Sequence, residues 1–254
     1  MLTNNEIKFI TSLQQKKYRK DHQLFIIEGE KILREVLYSD YEIESIYATE
    51  AFLEQADAEI LETLDAAFVV KVKYDQLKRL SLMETPPQVL SIVKMQANTI
   101  DLNNWDTGFI LALDGIQDAG NLGTLIRTAD WFGIKGILCS ENCVELYNPK
   151  TIQATMGSIF RVKVDTVDLK DTLKSLKKAY QTPIFGTTTK GQSLYQTKFE
   201  GKGIVLLGNE GKGISDGLMP FIDTQISIPR LGQAESLNVA IAGSIICAHI
   251  ANPK

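Results

Sequence analysis

The sequence predicts an α/β protein in two parts: a smaller amino-terminal α/β unit, and a larger carboxyl-terminal domain whose mostly parallel sheet carries helices on both faces. Three observations support this. Short aliphatic runs alternate with helix-length segments along the 254 residues, and a polar bridge at 96–104 interrupts the alternation. Beyond the bridge, strand-like runs open directly into Gly-rich loops, which is the rhythm of βα units around a sheet with both faces covered.

The first part reads in order as a helix over 7–18, an apolar run 24–27, a helix 30–38, a strand 43–48, a helix 51–64, a strand 68–72, a helix 75–80 and a strand 89–93. The composition of the bridge suits a linker, so the expected division is 1–95, a linker over 96–107, and 108–254. In the second part, strands are expected at 109–113, 136–139, 162–164, 183–186, 204–207 and 225–228.

Composition narrows the class. A chain that is 44% hydrophobic, with 18 Gly and 7 Pro, has enough apolar residues for a core and too little bias for disorder. The most apolar stretch, 236–251, is shorter than the roughly 20 residues a membrane span needs and contains Asn238, Ser244 and His249. It predicts a buried helix. Met1-Leu2-Thr3-Asn4 opens without a charged and then apolar leader, so the expected location is the cytoplasm. Cys139, Cys143 and Cys247 with only His22 and His249 predict neither a disulfide framework nor a metal site.

Charge is split unevenly, with 12 basic and 16 acidic residues up to Lys94 and 15 of each from Gln96 onward. This argues against a protein that coats nucleic acid by counterion release alone. One cluster opposes the trend: Lys16-Lys17-Tyr18-Arg19-Lys20, with His22 close by. Cations around an aromatic suit phosphate contacts and base stacking, and they equally suit a solvated helix end.

Three constellations remain. In 113–127 a strand leaves through Asp114-Gly115 and enters a helix that carries Asn121 and Arg127. Leu122, Leu125, Ile126, Ala129 and Gly133 make its apolar stripe, with Arg127 roughly opposite as either a solvated cation or a site group. The run Leu207-Gly208-Asn209-Glu210-Gly211-Lys212-Gly213 again follows a strand, and its glycine density suits close backbone approach to a ligand. It fits neither the dinucleotide nor the phosphate-loop fingerprint. In 226–240 a strand stops at Pro229, a polar loop follows, and Ser236 is the expected cap of the last helix. That helix is apolar nearly all round, so it is either central to the domain or faces a second subunit. Two distant histidines do not assemble a hydrolytic triad.

Read together, these motifs closely resemble those of the SpoU (TrmH-type) RNA 2′-O-ribose methyltransferases: N-x-G-x-x-x-R at Asn121 to Arg127, L-G-N-E-G-x-G at Leu207 to Gly213, and I-P…G-x-x-E-S-L-N-V-A at Ile228 to Ala240. Met156-Gly157-Ser158-Ile159-Phe160-Arg161-Val162 is similar to the family's intervening segment, and Phe25-Ile26-Ile27-Glu28-Gly29-Glu30-Lys31 resembles its substrate-binding domain. The resemblance implies a SPOUT fold with a trefoil knot, S-adenosylmethionine as cofactor, and a homodimer through the carboxyl-terminal helix.

By the same resemblance Gly208, Ile228 and Leu237 contact the cofactor, while Asn209, Glu210, Gly211 and Ser236 shape its pocket. Arg127 matches the family's essential arginine, and Asn121, Glu210, Ser236 and Asn238 its other active-site positions. Because a guanidinium stays protonated, Arg127 is expected to bind phosphate or a developing alkoxide, with Glu210 or a water taking the proton. Arg230 stands where the family usually has an apolar methionine; it could reach RNA phosphate or weaken cofactor binding. The implied activity is methyl transfer to a ribose 2′-hydroxyl, of ribosomal RNA first, with Lys16, Lys17, Arg19 and Lys20 as RNA contacts. The alternatives are a transfer-RNA ribose methyltransferase and a catalytically silent RNA-binding protein.

Overall fold

The computed structural model describes residues 2–64, 68–97, 99–102, 105 and 107–251. Part of the expected linker, Asn98, Asn103, Asn104 and Asp106, therefore lies outside the described residues. The chain forms two compact units, one of residues 1–97 with 145–161 and one of 98–144 with 162–254.

In the first unit β1 (Leu24–Glu28), β4 (Val89–Lys94), β2 (Ile43–Ala48) and β3 (Val69–Lys71) form a sheet in that order, antiparallel except for the β2–β3 pair. Side chains on a strand alternate between faces, which sends Phe25 and Ile27 into one core and Ile26 into another. The first core is closed by α3 (Glu30–Leu37) and α4 (Glu50–Gln55), the second by α1 (Asn4–Ser12) and α6 (Tyr74–Leu80).

Two expected helices are each broken in two. The first gives α1 and α2 (Lys16–His22), because the Leu13 carbonyl is taken by the Arg19 side chain instead of a helical amide. The second gives α4 and α5 (Ala58–Thr63), because Asp57 Oδ1 accepts from Ile60 N at 3.0 Å and starts a new helix.

The single division at 96–107 is corrected in one respect: residues 145–161, with α8 (Pro149–Thr155), belong to the first unit. Tyr147 stacks on Phe25 with ring centroids 4.5 Å apart, and its hydroxyl donates to Gln96 O at 3.1 Å. Gln153 Nε2 donates to Glu28 O at 3.2 Å. These contacts join residues more than fifty positions apart, which local patterning does not register.

The second unit is a six-stranded parallel sheet in the order β10 (Thr224–Ser227), β8 (Ile184–Ser193), β9 (Lys202–Leu207), β5 (Gly108–Leu113), β6 (Gly136–Ser140), β7 (Val164–Val167). Ile110, Ala112, Ile204 and Leu206 face α9 (Leu169–Tyr180). The alternate positions face α7 (Ala119–Trp131) and α10 (Val239–Ala251), which pack together. A side chain at Gly243 of α10 would collide with Leu125 of α7 and press on Leu207, so glycine sets how closely the two helices and the sheet approach. Among the described residues no helix is long and apolar enough to cross a membrane.

Candidate active site

The carboxyl ends of β5, β9 and β10 lie at one end of the parallel sheet, where the turns leaving the strands assemble a site. After β5, Gly115 adopts φ +70° and its amide donates to Ser140 Oγ at 2.9 Å. Buried Asp114 accepts from Ser215 N at 2.7 Å, tying this turn to the segment beyond β9. Asp118 then caps α7, accepting from Asn121 N at 2.8 Å, and so fixes Asn121 in the first turn of the helix.

After β9 the Gly208–Gly213 turn closes on itself. Asn209 and Gly213 exchange backbone hydrogen bonds of 3.0 and 2.9 Å, and Asn209 Oδ1 accepts from the amides of Gly211 and Lys212. Asn209 Nδ2 donates to Gly115 O at 2.8 Å, joining the two turns. A Cβ on Gly208 would lie 2.2 Å from the backbone carbon of Gly213, so only glycine fits this approach.

The turn presents Glu210 to Asn121. Asn121 Nδ2 donates to Glu210 Oε1 at 2.8 Å, and Asn121 Oδ1 accepts from Asn238 Nδ2 at 3.0 Å. Asn238 Oδ1 accepts from Ala240 N at 2.9 Å and Ile241 N at 3.3 Å, which caps α10. One asparagine therefore links the α7 start, the β9 turn and the α10 start, and each amide is oriented by what it binds.

The other sequence-predicted residues stand apart from this network. Ser236 is exposed in the 229–238 loop, and the expected cap passes to Asn238, two residues later, because only its side chain reaches the first free amides of α10. Leu237 is exposed and Ile228 half-buried at the end of β10. Arg230 is exposed and donates to Ala234 O at 3.3 Å, bracing its own loop. Arg127 lies six residues along α7 from Asn121, about 9 Å of rise, on the exposed line Thr124, Arg127, Trp131. It makes no ion pair or hydrogen bond among the described residues.

In the first unit Lys16, Lys17 and Lys20 are exposed on α2 beside Tyr18, with Lys17 Nζ 5.9 Å from the Tyr18 ring. Arg19 is a correction. It is 2% exposed, donates through Nη1 to Leu13 O at 2.9 Å, and pairs with Glu145, so it holds the core and offers no RNA contact.

One group escaped sequence reasoning. The expected strand 183–186 extends to Ser193, but β10 pairs with Phe185 and Gly186 and next with Gln192 and Ser193, so 187–191 leaves the ladder. Thr187 Oγ1 donates to Leu206 O at 3.1 Å, which anchors this excursion beside the end of β9, and Thr188 Oγ1 is buried without a hydrogen-bond partner among the described residues. A Thr-Thr-Thr run reads as uninterrupted strand, so only the register exposes it. Among the described residues no cluster of His, Cys, Asp and Glu could hold a metal ion.

Residues 108–248 match the SpoU rRNA Methylase family, and residues 4–91 match the MRM3-like substrate binding domain. The chain is 31% identical to the 23S rRNA (guanosine(2553)-2′-O)-methyltransferase RlmP of Bacillus subtilis, over 97% of this chain and 96% of that protein. Among solved structures it is similar to a TrmH-family protein from Porphyromonas gingivalis, at 35% identity and TM-score 0.85, with 98% of each chain covered. It is also similar to an AdoMet-bound rRNA methyltransferase from Sinorhizobium meliloti, at 27% identity and TM-score 0.85, covering 99% and 95% of the two chains. With the Asn121–Arg127, Leu207–Gly213 and Ile228–Ala240 motifs gathered at one end of a parallel sheet, the chain belongs to the SpoU rRNA methylase family.

Proposed function

We propose that the protein is an S-adenosylmethionine-dependent rRNA methyltransferase that acts on a ribose 2′-hydroxyl in the cytoplasm as a homodimer with a knotted carboxyl-terminal path. The observation that carries the reading is the Asn121–Glu210–Asn238 network set against the close-packed Gly208 turn. The site suits the cofactor: at Gly208 the chain offers main-chain groups instead of side chains, and the buried Thr188 hydroxyl, without a partner among the described residues, is available to a polar atom of a ligand. Gly208, Asn209, Gly211, Ile228, Leu237 and Thr188 would hold it, with Ser236 in the loop that covers it. When bound, the cofactor supplies a methyl group already activated on a sulfonium.

The chain's task is then to align a weak nucleophile and take its proton. Asn121 holds one oxygen of Glu210, which orients the carboxylate to accept the hydroxyl proton directly or through a water. Arg127, always cationic, binds RNA phosphate or steadies charge developing on the ribose oxygen. A second copy would cover the line that bears Arg127 and Trp131, the latter 83% exposed, together with exposed Leu231, Leu237 and Ile241. Arg127 then reaches a site in the assembled dimer, although it joins no network within one chain. Lys16, Lys17 and Lys20 contact RNA phosphates, with Tyr18 available for stacking.

The test is transfer of labelled methyl from S-adenosylmethionine to unmodified ribosomal RNA and, separately, to transfer RNA, with Arg127→Ala as control. Alkali-stable label in ribosomal RNA that is lost in the variant is the expected result. Label only in transfer RNA, or none with wild-type protein on ribosomal RNA or its assembly intermediates, overturns the reading.

A further inference from the structure

The helices on the two faces of the first unit's sheet differ in charge. On one face α1 and α6 close a core, and α2 continues from α1 past a turn that Gln14 Nε2 ties to Leu80 O at 2.8 Å, next to Arg79. These three helices expose Lys8, Lys16, Lys17, Lys20, Lys78 and Arg79 against Glu6, Asp21 and Asp75. On the other face α3, α4, α5 and α8 carry Lys31, Arg34 and Lys150 against Glu30, Glu35, Glu50, Glu54 and Glu62. A unit that is acidic in total therefore has one basic side, which the linear order of its charges hides.

The cations of that side are free to meet a ligand. None of the six forms an ion pair among the described residues, whereas Arg34 on the other face is held by Glu30 and Asp57. Glu6 is engaged at the α1 cap, where it accepts from Thr3 N at 2.6 Å and Thr3 Oγ1 at 2.7 Å. Rings stand among the cations. Phe9 of α1 belongs to neither core, is 38% exposed, and meets exposed His22 at the end of α2 edge to face, with centroids 5.1 Å apart. In such a pair one ring offers only its edge to the other, so a flat face stays open. Unpaired cations beside open rings suit phosphates and bases together, while an acidic protein would use only the cations.

We propose that α1, α2 and α6 form one RNA-binding face, on which an unpaired base of the substrate stacks against the Phe9–His22 pair and flanking phosphates meet Lys78 and Arg79 as well as the lysines of α2. The identity of the RNA rests on the function proposed above, whereas the stacking pair and the α6 cations are further points of contact with it. Stacking needs a base that is out of its helix, so the face selects RNA with an unpaired nucleotide over a plain duplex.

The experiment measures binding of the full-length protein to an unmodified ribosomal RNA transcript, a fully paired RNA duplex and polyglutamate, by fluorescence anisotropy over a salt series, with thermal melts of each variant. Phe9→Leu keeps apolar bulk without the flat ring, and Phe9→Trp keeps a ring. The expected results are a Kd for the transcript raised roughly tenfold in Phe9→Leu, near the wild-type value in Phe9→Trp, and unchanged for the duplex in both. Lys78→Ala with Arg79→Ala should weaken binding of both RNAs and flatten the salt slope by about one to two units. Glu54→Gln, on the opposite face, should bind as wild type. Wild-type affinity for the transcript in Phe9→Leu, or an equal loss on the duplex, overturns the stacking pair; a wild-type salt slope in the double variant removes α6 from the face. Polyglutamate bound as tightly as the transcript overturns the assignment to RNA. If the wild-type protein binds the transcript yet methylates neither class of RNA, the function proposed above fails alone, and the variants still judge the face; if it binds no RNA, both fail.

Discussion

Asn121 donates through Nδ2 to Glu210 Oε1 at 2.8 Å, across 89 residues of sequence. The bond holds one oxygen of the carboxylate through a neutral donor. Asn121→Asp replaces that donor with a carboxylate facing another carboxylate, whereas Asn121→Ala only removes it. Losing a hydrogen bond to a charged group costs about 1.5–3 kcal/mol, roughly a 10- to 100-fold loss of methyl transfer. Single-turnover assays should place Asp below Ala; equal activity of wild type and Asp would show that Glu210 needs no such orientation.

Gly208→Ala tests the close approach. The new Cβ would lie 2.2–2.5 Å from backbone atoms of Gly213 and Ile214, with no flexible side chain to yield. The turn must open, at a cost of about 1–3 kcal/mol for overpacking. The expected outcome in calorimetry and thermal melts is loss of S-adenosylmethionine affinity with the fold retained. Gly217→Ala, with nothing within 4 Å of the new Cβ, serves as the control and should bind normally.

The sheet of the second unit was legible in the sequence because each strand is an aliphatic run bounded by turn residues: Phe109 to Leu113 ends at Asp114-Gly115, and Ile204 to Leu207 ends at Gly208-Asn209. The three motifs were legible as well, since each begins where such a strand stops. Other features depend on partners far along the chain. Leu13-Gln14-Gln15 has good helix formers, yet the helix breaks there because Arg19 claims the Leu13 carbonyl. Ser236 and Asn238 are both competent caps, and only the path of the 229–238 loop chooses between them. Arg19 sits among lysines in sequence and inside a core in space, because Glu145 is brought to it from 126 residues away.

That pair gives a prediction about folding. Arg19 is 2% exposed and its partner's side chain 13%, so deleting the cation leaves Glu145 and the Leu13 carbonyl without their donor. Arg19→Met is expected to cost about 3–5 kcal/mol in urea denaturation, and a second change, Glu145→Leu, to recover much of it. Lys16→Ala, Lys17→Ala and Lys20→Ala together should leave stability unchanged and weaken RNA binding. The salt dependence of that binding should flatten by about one slope unit for each phosphate that is no longer neutralised. A triple variant that binds RNA with the wild-type salt slope would remove α2 from the RNA surface.

The Cys143 sulfur, which accepts from Ile116 N at 3.3 Å in the turn after β6, makes a pH-dependent prediction. Its folded value of about 6 lies below the ordinary thiol value of about 8.5, so folding favours the thiolate. The stability this contributes is fully present above the ordinary value and is lost as pH falls through about 6. The same titration governs reactivity, because the thiolate is the nucleophile. Iodoacetamide labelling of Cys143 should therefore rise with a midpoint near 6, while Cys247, pushed up to about 12, stays unlabelled through neutral pH. Ser140→Ala removes one contact that favours the thiolate and should move the midpoint upward. A labelling midpoint above 8 in the wild-type protein would show that the Ile116 amide does not hold the charge.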